Sequence, residues 1–329
     1  MARIADRLRT PGQESLRTRH AGWRPVARKE LADHLRSTRF VVLVALIAVA
    51  AAGTVAAAAG TLREAMGDEG VVPAFLRLYT VDGQRVPSLV GLLAFLLPLL
   101  GVAVGCDAIN GERSQRTLPR LLAQPIYRDD VIVGKFIAGL TTVAVVLAAL
   151  VLLTGGIGIL ALGVVPTVAD AARLAVWWVV SVVYVGVWLA FAILCSVLVR
   201  RPATSALIPL ALWLALTLFG ALLAGLVADV WAPRGAGPDA AIRNVEVQQA
   251  VSRAAPSTLY AEATGALLDP RVRALGLVTP MQADRTLPTT LSLDQSLLLV
   301  WPHLVVLAGL VVGMFALAAV AFLRQEVRA

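Results

Sequence analysis

The sequence predicts an all-α polytopic membrane protein, a bundle of six transmembrane helices, on three observations. Apolar residues make up 58% of the 329 positions and charged residues 15%, with a mean hydropathy of +0.79. Soluble domains carry roughly 45–50% and about 25% respectively. Six runs contain no Asp, Glu, Lys or Arg: 40–62, 86–106, 136–165, 174–199, 202–228 and 295–323. Each meets the roughly 20 residues needed to cross about 30 Å of hydrocarbon. The alternating polar and apolar segments of about ten residues that mark a membrane β-barrel are absent.

Residues 1–25 are polar and arginine-rich, with no apolar run, and predict a mobile basic arm and no secretory signal. Over 26–39, Val26, Leu31 and Leu35 form a stripe against Arg28, Lys29, Arg36 and Arg39. This predicts an amphipathic helix in the membrane interface that leads into span one. A straight extension of span one with snorkelling bases is the alternative.

Charge sets the orientation. With the N-terminus inside, the inner segments hold 19 of the 29 Lys and Arg, which predicts both termini in the cytoplasm. Trp177, Trp178, Trp231 and Trp301 fall near the outer span ends, where an amphipathic ring sits at the interface. Topology and anionic lipid account for the basic excess, and no nucleic-acid partner is implied. Cys106 and Cys195 read as buried structural thiols.

Between spans two and three lies a charged island, 107–135. Thr117 can N-cap a short helix in which Pro119 is tolerated and which Pro125 ends. Leu118, Leu121 and Leu122 would share one face, flanked by Arg113, Arg116, Arg120 and Arg128. A two-turn helix is marginal alone and is stabilised by a partner surface. The alternative is a solvated loop with its leucines folded back on the membrane. Span three, with thirty uncharged residues, is longer than the bilayer needs, so a break at Gly155, Gly156 and Gly158 or a tilt is expected. The GxxxG pairs Gly101/Gly105 and Gly309/Gly313 predict close helix contacts.

The outer segment 229–294 opens on a loop and then shows two helical patches, 240–254 and 258–268. Leu259, Tyr260, Ala263, Leu267 and Leu268 would line one face of the second. The segment is too short for a core of its own and predicts a helical cap on the outer span ends.

The run Asp107-Ala108-Ile109-Asn110-Gly111-Glu112-Arg113, followed by Thr117-Leu118, Leu121-Leu122, Pro125-Ile126, Arg128 and Gly134-Lys135-Phe136, resembles the cytoplasmic loop of ABC-2 type exporter permeases. The similarity is greatest to the subgroup containing the permease of the nitrous-oxide-reductase maturation exporter. Ala27-Arg28-Lys29-Glu30-Leu31 resembles that family's interface helix, and the six-span layout matches. Arg116 and Ala123 depart from the usual glycine and serine.

The resemblance implies a prokaryotic plasma-membrane permease that couples ATP hydrolysis on a separate ABC ATPase subunit to transport. It implies a second permease copy meeting this one along spans one and five, with an outer partner protein also compatible. Loop 107–135 would be the coupling element. Leu118, Leu121 and Leu122 would insert into the ATPase, Glu112 and Arg113 would anchor the hinge, and Arg128 would flank it. The sequence holds no GxxxxGK[ST] phosphate loop, so no cofactor is expected here, and ATP–Mg belongs to the partner.

Two other readings compete. An ion-coupled secondary transporter would place a charge within the bilayer, and the six runs offer only His303, read as interfacial. A membrane enzyme would need paired carboxylates or a metal cluster, and Asp129-Asp130 is better explained as the N-terminus of span three.

Overall fold

The computed structural model describes residues 22–69, 75–83, 86–115, 117, 127–235, 237–272, 275 and 291–325. Eleven helices and no strand occur among them: α1 (Trp23–Arg36), α2 (Thr38–Glu69), α3 (Arg77–Thr80), α4 (Leu89–Gly105), α5 (Asn110–Ser114), α6 (Arg128–Leu162), α7 (Val168–Leu198), α8 (Pro202–Trp231), α9 (Pro238–Ser252), α10 (Pro256–Leu268) and α11 (Leu293–Arg324). Six are long and apolar enough to cross a membrane: α2, α4, α6, α7, α8 and α11. The chain is a multi-pass membrane protein. The leucine stub Leu118/Leu121/Leu122 and most of the basic arm lie outside the described residues.

Helix α7 is the hub. In its apolar window 72% of residues are buried, against 11% in α8 and in α11, so the latter two present most of their surface outward. Helix α4 reaches α7 through Gly101 and Gly105. A Cβ on either would stand 2.8 Å from Val185 O or Leu189 O, so glycine lets the two backbones touch. Gly309 and Gly313 meet nothing within 4 Å, and the close contact expected of that pair is not made within the chain.

Span three is neither broken nor confined to 136–165. Helix α6 runs unbroken for 35 residues and starts at Arg128, with Asp129 and Asp130 in its first turn, where carboxylates favour the positive helix end. Gly155 and Gly158 serve packing, while Gly156 meets nothing within 4 Å. Gly158 admits Leu78, whose Cδ1 lies 2.5 Å from where a Cβ would be, and Gly155 faces Tyr79 and Phe75. The helix stops at Gly163, in the left-handed region at φ 69°, as a C-terminal glycine does. Helix α1 also begins earlier than expected, at Trp23. Its buried face is Val26 and Glu30, and it is seated on α6, where Gly134 leaves room for Val26 and the Trp23 carbonyl. Leu35, expected on the apolar stripe, is half exposed.

The segment before the last span does more than rest on span ends. Helix α9 runs antiparallel to α8. Asn244 Nδ2 donates to Asp229 Oδ1 (2.9 Å) and Ala232 O (2.8 Å), while Gln248, one turn on, lies beside Gly225. Helix α10 then returns. Tyr260 meets Ser181, about 20 Å down α7 from its first residue, and Leu267 meets Arg173 near that start. The pair is a re-entrant hairpin. At its turn Ala255 is buried, Ser252 and Arg253 are partly exposed and Ala254 is exposed. All five residues expected on the inward face of α10 are buried. Tryptophan placement is mixed. Trp231 and Trp301 are exposed, but Trp177 donates to Tyr260 Oη (3.1 Å) and Trp178 to Ala144 O (2.9 Å), so these two are packing residues inside the bundle.

Candidate coupling site

One end of the bundle collects α1, α5, the start of α6 and the last turns of α7 and α11, and brackets segment 116–126. The turn before α5 is stapled down: Ser196 Oγ on α7 accepts from both Ile109 N and Asn110 N at 3.0 Å, and Ser205 Oγ on α8 donates to Cys106 O (2.9 Å). The two cysteines are free thiols, Cys195 buried and Cys106 partly so.

Lys135 organises the ion pairs. Because α6 begins eight residues before the expected span, Lys135 is a helix residue, its side chain 3% exposed, and not the end of a loop. Its Nζ lies 2.7 Å from Glu30 Oε1 on α1 and 3.5 Å from Glu112 Oε1 on α5. Lys29, 55% exposed, contacts the same oxygens at 3.3 and 3.2 Å, and Asp33 at 3.5 Å. Burial alone would lower the Lys29 pKa, but Glu30 and Glu112 outweigh it and push it above the ordinary lysine value. Thr117 donates to Glu112, both to its carbonyl (3.2 Å) and to its carboxylate, so Glu112 links Thr117 to the lysines of α1 and α6. A cleft of about 340 Å³ opens beside these groups, bounded by Lys29, Glu30, His34, Arg39, Asp107 and Glu112.

Arg113 and Arg128 stand on either side of segment 116–126 and turn to a different element. Arg113 donates to Val197 O (3.2 Å) and to the side-chain oxygen of Gln325, and Arg128 donates to Gln325 O (3.2 Å). Of the interface-helix residues, Lys29 and Glu30 join the ionic junction, Leu31 is half-buried, and Arg28 and Leu35 face outward. Sequence reasoning missed Gln325 and the central place of Lys135. Gln325 carries no motif, and Lys135 stands in the sequence as one of the island's five bases and as the middle residue of Gly134-Lys135-Phe136.

The opposite end holds a second polar set. Arg173, in the second turn of α7 and buried, donates to Leu267 O (2.8 Å), Ser296 Oγ (3.1 Å) and Leu291 O (2.6 Å). His303 is buried, not interfacial: its Nε2 lies 2.6 Å from Glu262 Oε2 of α10. Glu262 also accepts from Arg253 Nε (2.9 Å) and Gln249 Nε2 (3.1 Å). The interfacial reading fails because α10 enters the bundle and covers His303. No group of three or more His, Cys, Asp or Glu able to hold a metal occurs among the described residues. Both sets join separate helices through side-chain hydrogen bonds and ion pairs.

The chain matches the family described as "ABC-2 family transporter protein" over residues 24–327. It is 32% identical over 197 residues to the "Probable ABC transporter permease protein NosY" of Stutzerimonas stutzeri, covering 57% of this chain and 64% of that relative. It is 36% identical over 115 residues to the protein of the same description from Pseudomonas aeruginosa, covering 34% of this chain and 36% of that one. The matched stretches thus span less than two thirds of either relative's length. With six spans of the expected order and a family match across nearly the whole sequence, the chain belongs to the ABC-2 family of transporter proteins.

Proposed function

We propose that this permease is the membrane subunit of an exporter driven by a separate ABC ATPase, with two permease copies per complex. The end bearing α1 and segment 116–126 faces the cytoplasm of a prokaryotic cell. The observation that carries the reading is the mounting of that segment. Its charged flanks are tied to α1 and α6 through Glu112, and to the last turns of α7 and α11 through Arg113 and Arg128. A segment held on both sides by ion pairs and helix ends can pass a push from a docked subunit to several spans at once. Leu118, Leu121 and Leu122 are its docking knobs. The residues hold no phosphate loop, so ATP–Mg is assigned to the partner.

The test co-expresses the chain with its ATPase and follows co-purification and vanadate-sensitive hydrolysis. Leu121→Asp with Leu122→Asp leaves membrane insertion intact and abolishes docking, since each carboxylate buried in an apolar groove costs several kcal/mol. Wild-type recovery of the ATPase by that double variant overturns the assignment of the knobs. The buried Glu262–His303 pair is the kind of group an ion-coupled carrier needs, so the chain alone is also tested in proteoliposomes under proton and sodium gradients. Gradient-driven transport there sinks the ATPase-driven reading in favour of the ion-coupled one.

A further inference from the structure

We infer that Gln325 is a positioning residue through which movement of loop 107–135 is passed to α11 and, along α11, to the re-entrant hairpin. The inference rests on the docking of an ATPase at that loop, as proposed above. Gln325 follows the last turn of α11 and gathers bonds from both flanks of segment 116–126. Its side-chain oxygen accepts from Arg113, its carbonyl from Arg128 (3.2 Å), and its Nε2 donates to Val197 O (2.8 Å). Val197 is in the last turn of α7, where helix carbonyls have no intrahelical donor. Arg113 and Gln325 together satisfy that carbonyl, and a cation there also suits the negative end of the helix. Charged donors make the arginine bonds stronger than neutral ones.

The other half of α11 is held just as specifically. Arg173 bonds Ser296 Oγ and Leu291 O at its start, and His303 bonds Glu262 of α10. Helix α11 is continuous over 32 residues, about 48 Å at 1.5 Å per residue. A helix of that length shifts as a unit more readily than it compresses, so a displacement applied at Gln325 reaches His303. Glu262 then carries it into α10, whose opposite face is packed into the core at Tyr260 and Leu267. The loop and the hairpin, at opposite ends of the bundle, thus share the stretch of α11 from His303 to Gln325, which lies wholly on the C-terminal side of Pro302.

The experiment uses the full complex of permease and ATPase in lipid nanodiscs and follows amide hydrogen exchange, nucleotide-free against ATP–vanadate-trapped. In the wild type, trapping changes exchange in the loop flanks and in the hairpin, 238–268. Gln325→Ala removes both side-chain bonds but keeps the backbone carbonyl that Arg128 reaches. It retains ATPase binding and the loop response, and loses the hairpin response. Gln325→Glu keeps an acceptor for Arg113 and restores the hairpin response, which a merely structural role would not do. Should Gln325→Ala fail to assemble, Gln325→Asn makes the same comparison, since the shorter amide cannot reach Arg113 and Val197 O together. A hairpin response that persists in the variants, or is absent from a wild type whose loop responds, overturns the inference. A wild type that binds no ATPase overturns the proposed function itself.

Discussion

The two ends of this bundle join their helices by different means. At the loop end, one buried lysine serves two carboxylates from two other elements, with a second, exposed lysine on the same oxygens. At the hairpin end, a carboxylate is wrapped by three donors, and a buried guanidinium donates to two carbonyls and a hydroxyl. The first arrangement depends on net charge and adapts when helices shift by an ångström, because long side chains bridge short gaps. The second depends on directional bonds inside a packed interior. On the function proposed above, the loop end would receive a push and the hairpin end would keep its geometry while being moved.

The sharpest break of that comparison is Lys135→Ala. It leaves Glu30 and Glu112 facing each other without the buried cation and costs about 3–5 kcal/mol, read as a lower thermal midpoint of the purified protein and faster exchange in α1. Glu262→Gln is expected to cost about 1–3 kcal/mol, because Arg253 and His303 lose a charged acceptor in a covered site; thermal melting with hydrogen exchange of α10 checks it. Lys29→Ala should cost no more than about 1 kcal/mol, since that lysine is mostly exposed and its pairs are screened. If Lys29→Ala destabilises as much as Lys135→Ala, burial is not what distinguishes the two lysines.

The smallest effect is one of pH. Burial holds the His34 pKa below its ordinary 6.5, with Lys135 adding to the shift and Glu30, Asp107 and Asp33 opposing it. A group whose folded pKa is depressed contributes stability that is present above 6.5 and lost as pH falls toward the folded value. Exchange of α1 should therefore rise modestly on acidification below pH 6.5, and His34→Gln should flatten that dependence.

Much of this was legible because it is local. Span five and both hairpin helices lie where charge-free runs and turn residues put them, and the inward face of α10 follows from its spacing alone. The errors cluster where a charge was taken as the end of a helix. Lys135 and Arg173 were cut from spans three and four, yet both sit inside their helices, because partners on other elements compensate their burial. Glycines at 155, 156 and 158 signalled a break by propensity, but α3 packs against two of them and the helix continues.

The sequence by itself determined that the chain crosses a membrane six times, which segments do so, and which stretches resemble a known permease loop and interface helix. Those follow from composition, run length and motif, each a property of contiguous residues. Only the tertiary structure decided that the hairpin enters the bundle, that Lys135 binds Glu30 from 105 positions away, and that two arginines around the loop converge on Gln325. The reason is physical. Whether a polar group is tolerated at depth depends on which donors and acceptors other elements bring to it, and no window along the chain contains that information.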